Sequence, residues 1–332
     1  MTELKDDILL EVDDLRVHFQ GDETVSRAVD GVSYKIQRRE TVCIVGESGC
    51  GKTVTALAML GLLPRPPARI AGGRALFGGR DLLTLDEEAL QAIRGRKIAM
   101  VFQEPMTSLN PVFTIGDQIS EAIRIHNHLA PAALRERCVQ LLTDVGLTHA
   151  DRRTADYPHQ LSGGQRQRVM IAMALACEPD LVIADEPTTA LDVTVQAQIL
   201  RLLRDLQEKH HMAIQYITHD LSVVSAIADR VYVMYAGIVV EEAAAADLFT
   251  DPRHPYTQAL LAALPTREKR GQRLHTITGT VPHPAYKPAG CPFHPRCGLR
   301  VATCETDLPE MRAYGNGHLA RCPVIDNPRK DN

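Results

Sequence analysis

The chain has 332 residues, which suggests about two domains, and its 45% hydrophobic and 23% charged residues are ordinary for a globular protein with a sizeable core. The net charge of −4 excludes a general basic field for nucleic acid or an anionic membrane surface. The longest apolar run, residues 169–177, is much shorter than the roughly 18 residues of a membrane span, and the charged N-terminal residues lack the order of a secretion signal. We therefore expect a soluble, cytoplasmic protein.

The N-terminal part of the chain carries three strand patterns. Residues 9–19 and 28–36 alternate apolar and polar side chains, which predicts two strands of an antiparallel sheet. Residues 41–45 form a short continuous apolar run, typical of a strand that is buried on both faces. A glycine-rich turn and a helical pattern over residues 53–60 follow, and a proline cluster ends that helix.

The middle of the chain changes from helical to alternating patterns. Residues 115–126 and 132–145 have helical spacing with few strand signals around them, which predicts a helical insert. Beyond the insert, predicted strands alternate with predicted helices. The strands are residues 181–184, 213–217 and 230–234, and the helices are residues 165–177, 195–209 and 221–228. Such alternation indicates a parallel sheet and an α/β fold.

A phosphate-binding pattern lies between the third predicted strand and the first predicted helix. Residues 46–53 fit G-x-x-x-x-G-K-[ST], in which glycines turn backbone N–H groups toward phosphate oxygens and a helix N-terminus favours the anion. The lysine has the reach for the β- and γ-phosphates, and the threonine has a hydroxyl for Mg²⁺. An ordinary glycine-rich turn is the alternative. The predicted binding residues are Gly46, Glu47, Ser48, Gly49, Cys50, Gly51, Lys52 and Thr53.

Two adjacent carboxylates end a later predicted strand. Asp185, at the carboxyl end of an apolar run, suits coordination of Mg²⁺ directly or through water. Glu186 beside it points elsewhere and suits polarisation of an attacking water. Acidic strand ends are common, so this pair is weak evidence by itself and strong evidence in a chain that also carries a P-loop.

The segment 161–165 reads Leu-Ser-Gly-Gly-Gln and precedes a basic helical stretch. A serine in this position usually does no more than cap a helix. These five residues, however, resemble the signature motif of the ATPase subunits of ABC transporters, and other motifs of that family follow in order. Three residues match its Q-loop glutamine, its switch histidine and the aromatic that stacks on adenine, namely Gln103, His219 and Phe19. The resemblance covers residues 9–322.

The resemblance implies a P-loop NTPase fold of the ABC type. Its parts would be a RecA-like parallel sheet core, an N-terminal antiparallel β subdomain, a helical subdomain over about residues 104–165, and a small cysteine-rich C-terminal extension. We predict the ATPase domain over residues 1–250 and the extension over residues 251–332.

The resemblance also implies roles for single residues, with ATP and Mg²⁺ as ligands. Glu186 is then the catalytic base, His219 contacts the γ-phosphate, and Gln103 joins both the catalytic site and the Mg²⁺ site. The expected Mg²⁺ ligands are Thr53, Gln103 and Asp185. The signature residues are expected to contact ATP on the P-loop of a second ATPase subunit, in a head-to-tail dimer, and they are Ser162, Gly163, Gly164 and Gln165.

Two segments narrow the resemblance to oligopeptide and dipeptide importers. Residues 251–261, which contain His-Pro-Tyr, are similar to the segment after the ATPase core in these proteins, and residues 102–111 are similar to their Q-loop. The implied partners are two integral-membrane permease subunits, a second ATPase that is a paralogue rather than a copy, and indirectly an extracytoplasmic peptide-binding protein. The implied location is the cytoplasmic face of a bacterial inner membrane, with no nucleic acid partner. Nickel or glutathione importers, and a soluble non-transport ABC ATPase, stay open as alternatives.

The last part of the chain is rich in proline and cysteine. Nine of the 20 prolines lie at or beyond Pro265, which indicates a loop-rich appendage with little core of its own. Four cysteines are spaced C-x₅-C-x₆-C-x₁₇-C, and they are Cys291, Cys297, Cys304 and Cys322. Four thiolates suit Zn²⁺ or an iron–sulfur cluster, and free or disulfide-linked thiols are the further alternative. The resemblance implies a [4Fe–4S] cluster. His294 and His318 are alternative ligands for such a site, but we expect them to be surface histidines.

Overall fold

The computed structural model describes residues 7–189, 191–265 and 276–325. The strands in these residues are β1 Ile8–Gln20, β2 Val25–Gln37, β3 Thr41–Val45, β4 Ala68–Phe77, β5 Arg80–Asp81, β6 Ile98–Val101, β7 Leu181–Asp185, β8 Ala213–Thr218, β9 Arg230–Tyr235, β10 Ile238–Ala244, β11 Arg312–Ala313 and β12 Leu319–Ala320. The strands predicted from the sequence are all present within a few residues of their expected bounds. The strands β4, β5, β6, β10, β11 and β12 were not predicted.

The helices alternate with the strands after residue 160, as predicted. The helices in the described residues are α1 Lys52–Met59, α2 Glu87–Gln91, α3 Pro105–Ser108, α4 Ile115–His126, α5 Pro131–Asp144, α6 Ala150–Arg153, α7 Gly163–Ala174, α8 Val193–His210, α9 Leu221–Ile227, α10 Ala245–Thr250, α11 Pro255–Ala262 and α12 Thr303–Thr306. Across the described residues, no helix has both the length and the apolar character needed to cross a bilayer.

The chain folds into two compact units. One comprises the described parts of Met1–Ile36, Thr41–Leu83 and Ile217–Asn332, and the other comprises Gln37–Glu40 and the described parts of Thr84–Tyr216. The division at residue 250 between an ATPase domain and an extension stays a prediction.

The first unit contains a four-stranded sheet in the order β2-β1-β4-β5. The β1 strand pairs antiparallel with β4, and Leu10 lies opposite Phe77 and Phe19 opposite Ala68. The alternation predicted for β1 is present, because Leu10 and Val12 are buried while Glu11 between them is more exposed. This sheet is the N-terminal antiparallel part of the fold.

The same unit contains the strands that carry the P-loop. The β3 strand pairs parallel with β9, from Val42 opposite Arg230 to Val45 opposite Val233. The β9 strand pairs antiparallel with β10, which in turn pairs antiparallel with β12. All five residues of β3 are buried, which explains its continuous apolar run.

The second unit contains a parallel pair of strands and the helical insert. The β6 and β7 strands pair in parallel, with Ile98 opposite Leu181. The α4 helix begins after Thr114, whose side chain accepts a hydrogen bond from the backbone N–H of Asp117 and so caps the helix. Helices α4, α5 and α7 pack on one another through buried apolar residues such as Ile119.

The expected [4Fe–4S] cluster is wrong for the cysteine-rich tail. Across residues 7–189, 191–265 and 276–325, no group of three or more His, Cys, Asp or Glu side chains is placed to hold a metal ion, and this also removes the zinc alternative. Cys291, Cys297, Cys304 and Cys322 are free cysteines. Burial raises the pKa of the Cys291 and Cys297 thiols, and that of Cys322 to about 11.

Non-covalent contacts hold the tail in place instead. The β12 strand adds to β10, with Ala320 opposite Glu241. The Glu241 side chain is fully buried, and its Oε1 lies 2.7 Å from His318 Nε2. His318 was expected at the surface, but it is buried because it partners this carboxylate. A buried carboxylate needs such partners, since an unpaired buried charge costs several kcal/mol.

Candidate nucleotide-binding site

The P-loop, residues 46–53, connects buried strand β3 to helix α1. Gly46 and Gly51 have φ angles of 154° and 101°. A Cβ atom on Gly46 would lie 2.2 Å from the carbonyl oxygen of Met234, and one on Gly51 would lie 2.5 Å from that of Ala28. Only glycine fits either position, so the loop is a tight backbone cradle of the kind that surrounds phosphate groups.

Lys52 is the first residue of α1, and its side chain turns back over the loop. It is only 5% exposed, and its Nζ donates to the carbonyl oxygens of Gly46 at 2.8 Å and Glu47 at 3.2 Å. The ammonium group therefore lies at the loop, next to the N–H groups that begin α1. A cation and a helix N-terminus in one place favour binding of a phosphate anion.

Cys50 lies beneath the loop rather than at its open side. The residue is fully buried, and a Cβ on Gly46 would come within 2.8 Å of its Sγ. Burial raises the pKa of the Cys50 thiol above its ordinary value, although nearby Lys52 acts in the opposite direction. Cys50 is therefore a packed neutral thiol.

Phe19 and His219 lie at the ends of strands in the same unit. Phe19 is near the end of β1 and is partly exposed, so part of its ring is open for stacking. His219 is exposed and follows β8 directly, one residue before Asp220, which caps α9 by accepting from the N–H of Ser222.

In the second unit, β7 places the two predicted carboxylates at its carboxyl end. Asp185 is 3% exposed, and its oxygen donors are the type that Mg²⁺ prefers. Glu186 has a left-handed φ of 45°. Its Oε2 accepts hydrogen bonds from Gln103 Nε2 at 3.1 Å and from Thr189 Oγ1 at 3.0 Å. Gln103 and Glu186, both expected in the catalytic site, are therefore in direct contact.

The signature segment, residues 161–165, forms the start of helix α7. Ser162 Oγ accepts from the Gln165 N–H at 3.3 Å, and Gln165 Oε1 accepts from the Ser162 N–H at 2.9 Å. These two hydrogen bonds form a capping box. Ser162 therefore caps helix α7, as a serine in this position usually does. Gly163 and Gly164 form the first turn, and a helix N-terminus is the end of a helix that favours an anion.

Two residues that no sequence motif assigned to the site hold Glu47 of the P-loop. The Glu47 backbone N–H donates to Tyr256 Oη at 2.9 Å, and its carboxylate accepts from Arg296 at 2.6 and 3.0 Å. Tyr256 lies in the His-Pro-Tyr segment that the resemblance singled out, whereas no local pattern marks Arg296.

Two family models match the chain. Residues 29–189 match the model described as "ABC transporter", and residues 240–304 match "Oligopeptide/dipeptide transporter, C-terminal region". The first match contains the P-loop, the signature segment and the two carboxylates of β7. The second contains Tyr256 and Arg296.

Known proteins are similar to the chain over nearly its whole length. It is 50% identical over 319 residues to the probable peptide ABC transporter ATP-binding protein y4tR of Sinorhizobium fredii, and the matched residues cover 96% of this chain and 95% of that protein. It is 48% identical over 314 residues to the oligopeptide transport ATP-binding protein AppD of Bacillus subtilis, with coverages of 95% and 96%. It is also 48% identical over 323 residues to the dipeptide transport ATP-binding protein DppD of Escherichia coli, with coverages of 97% and 98%.

Solved structures have the same fold. The ATP-binding cassette MJ0796, in a dimeric post-hydrolysis state bound to ADP and Pi, matches with a TM-score of 0.64 and 28% identity over 71% of this chain and 98% of that one. CbiO1 from Clostridium perfringens, part of an ABC transporter complex, matches with a TM-score of 0.64 and 28% identity over 74% and 92%. The predicted ABC-type α/β fold is confirmed, and the chain belongs to the ATP-binding subunits of the oligopeptide and dipeptide ABC transporters.

Proposed function

We propose that this chain hydrolyses ATP to energise the uptake of di- or oligopeptides through partner permease subunits. The ATPase part of this proposal rests on the P-loop, whose tight glycine turns and Lys52 ammonium group suit a phosphate. The match of residues 240–304 to the C-terminal region of peptide transporters supports the peptide substrate. The peptide itself is chosen by other subunits, because this chain belongs to the energising part of the transporter.

The P-loop residues bind the triphosphate of ATP, and Phe19 stacks on its adenine. Lys52 and the N–H groups at the start of α1 balance the phosphate charge. The buried Asp185 carboxylate, the Thr53 hydroxyl and the Gln103 amide are hard oxygen donors that fit Mg²⁺. When bound, Mg²⁺ neutralises charge that develops on the transferring phosphoryl group.

Glu186 acts as the general base for the attacking water. The Gln103 amide and the Thr189 hydroxyl both donate to the same Glu186 oxygen, which fixes the orientation of the carboxylate that takes a proton from the water. His219 contacts the γ-phosphate and donates a hydrogen bond as negative charge moves to the leaving oxygen.

The signature residues Ser162, Gly163, Gly164 and Gln165 complete the site of a second subunit. Their helix N-terminus contacts ATP bound to the P-loop of the partner, so ATP joins a head-to-tail dimer and hydrolysis releases it. The partner is a paralogue, and the pair lies on the cytoplasmic face of the inner membrane beneath two permease subunits. An extracytoplasmic peptide-binding protein delivers the cargo.

Reconstitution tests this function. The chain is co-expressed with permease subunits and a second ATPase subunit of a peptide importer, and the complex is placed in proteoliposomes with ATP inside and a peptide-binding protein outside. We expect release of phosphate and uptake of labelled di- or oligopeptide. The two processes should be coupled, so that each stops when the other is prevented. Uptake of Ni²⁺ or glutathione without peptide uptake contradicts the peptide substrate. Co-purification with ribosomes or DNA, and none with permeases, contradicts transport itself.

A further inference from the structure

Glu47 of the P-loop joins the phosphate-binding lysine to two residues much later in the chain. Its backbone N–H donates to Tyr256 Oη, 209 positions away, at 2.9 Å. Its carboxylate accepts from Arg296 Nη1 at 2.6 Å and Nη2 at 3.0 Å, 249 positions away. Its carbonyl oxygen accepts from Lys52 Nζ at 3.2 Å. The three polar groups of one loop residue are therefore all engaged.

Arg296 is fixed on every side. Its Nε donates to the carbonyl oxygen of Thr278 at 2.9 Å, and its Nη1 donates to Tyr235 Oη at 3.3 Å. The guanidinium carbon also lies 5.8 Å from the ring centre of Tyr235 and 6.0 Å from that of Phe293. The side chain is only 6% exposed. This two-fold hydrogen bond from an immobile guanidinium differs from an exposed surface ion pair, which contributes little.

The rings around the pair form a packed aromatic cluster. The ring centres of Tyr235 and Tyr256 are 4.7 Å apart, and Phe293 lies 5.3 Å from each of them. Tyr235 ends β9, Tyr256 begins α11, and Phe293 belongs to the cysteine-rich tail. The cluster therefore anchors the tail on a strand beside the P-loop strand, and Arg296 projects from the tail to Glu47.

We propose that Arg296 is a positioning residue of the ATPase, which neutralises and holds Glu47 so that the P-loop keeps a shape and charge that accept a triphosphate. The tail segment 277–296 thereby sets the affinity of this subunit for ATP. This inference rests on the proposed ATPase function, since it takes ATP as the ligand of the P-loop.

Charge explains why the pair affects ATP binding. Without Arg296, the Glu47 carboxylate is an unbalanced negative charge on the loop that receives three phosphates, and it competes with them for Lys52. Hydrogen bonding to Glu47 raises the pKa of Arg296, so the guanidinium is charged throughout the working pH range. For one unbalanced charge at a partly solvated site, we expect ATP to bind about tenfold more weakly.

The test compares ATP binding and hydrolysis in four full-length proteins, namely wild type, Arg296→Ala, Glu47→Gln and the double variant Glu47→Gln/Arg296→Ala. Binding is measured with a fluorescent ATP analogue, and hydrolysis by phosphate release. We expect Arg296→Ala to raise Kd and KM about tenfold with less than a threefold change in kcat. The double variant removes the unbalanced charge, and we expect its Kd to return to within about threefold of that of Glu47→Gln.

A merely structural role for Arg296 predicts a different pattern, in which the double variant binds ATP as weakly as Arg296→Ala or more weakly. That result, or an unchanged Kd in Arg296→Ala, overturns the proposal.

Exposed Arg300 of the same tail provides the matched control Arg300→Ala, which should bind ATP like wild type. If Arg296→Ala lowers the thermal unfolding midpoint too far for the assay, Arg296→Gln replaces it in both comparisons. Absence of ATP binding by the wild type contradicts the proposed function instead, so the two failures are distinct.

Discussion

Gln103 donates a hydrogen bond from its Nε2 to Oε2 of Glu186 across 3.1 Å, and these residues lie 83 positions apart in the chain. Gln103 follows β6 and Glu186 follows β7, and the two strands are parallel neighbours. The carboxyl ends of parallel strands meet at one edge of a sheet, where α/β proteins place their ligands. The pairing is thus a consequence of topology, and it orients the carboxylate proposed as general base.

Glu186→Gln should abolish hydrolysis and preserve ATP binding. The amide is close in size to the carboxylate, but it cannot take a proton from water, and loss of a general base lowers kcat by about 10²- to 10⁴-fold. Phosphate release and equilibrium binding of a fluorescent ATP analogue measure the two properties. Glu208→Gln, at an exposed residue of α8, is the matched control and should leave both unchanged. Normal hydrolysis by Glu186→Gln would show that another group is the base.

Much of the fold follows from local sequence patterns. The buried strands β3 and β7 have continuous apolar runs, and β1 alternates. Six of the described strands escaped prediction, and in two of them, β4 and β10, tertiary contacts override the local pattern. The β4 strand contains Gly72 and Gly73 next to β1, and β10 contains Glu241, whose buried charge is paired with His318.

The candidate site was predictable where a motif carries its chemistry and unpredictable where only folding brings residues together. The P-loop glycines and Lys52 follow from spacing alone. Arg296 belongs to no such pattern, because its partner Glu47 lies 249 positions away. The metal prediction failed because cysteine spacing does not report how folding places the side chains, and the described residues contain no group of three or more ligands placed to hold a metal ion.

Gly164→Ala should disturb the signature segment, and Gly163→Ala should not. A Cβ on Gly164 would lie 2.7 Å from Val195 Cγ1, and the stiff valine has little room to yield. A Cβ on Gly163 would make ordinary contact with Leu191 at 3.5 Å, and alanine is favoured over glycine in a helix by about 1 kcal/mol. We expect Gly164→Ala to lower the free energy of unfolding by about 1–3 kcal/mol, and thermal unfolding midpoints check this. Equal midpoints for the two variants contradict the packing argument.

Cys50 should resist alkylation although it lies in the P-loop. Its burial raises the thiol pKa, so at any given pH it carries less reactive thiolate than an ordinary cysteine, and its reaction should become faster only at higher pH. Mass spectrometry after iodoacetamide treatment at pH 8 should find Cys50 unmodified in the native protein and modified in urea. The Cys50→Ser substitution should give no protection, so iodoacetamide should inactivate the variant at least as much as the wild type. Rapid native labelling of Cys50, with protection in the serine variant, contradicts the prediction.

His254 should make the protein less stable as the pH falls. Complete burial lowers the pKa of this histidine from 6.5 to about 4, and its ring accepts the backbone N–H of Tyr256 at 3.1 Å as the cap of α11. The unfolded chain takes up a proton near pH 6.5 that the folded protein refuses until about pH 4. The contribution of the neutral ring to the free energy of unfolding is therefore complete above pH 6.5. It is smaller by about 2 kcal/mol at pH 5 and by about 3 kcal/mol below pH 4.

The variant His254→Asn isolates this effect from all other titrating groups. Asparagine caps a helix as histidine does here, but it does not titrate. Urea unfolding at pH 7.5, 6 and 5 should therefore show the wild type losing about 2 kcal/mol more than His254→Asn over this range. Parallel losses in the two proteins would mean that the ring is protonated in the folded state, in which case the Glu241 carboxylate beside it, and not burial, determines its charge.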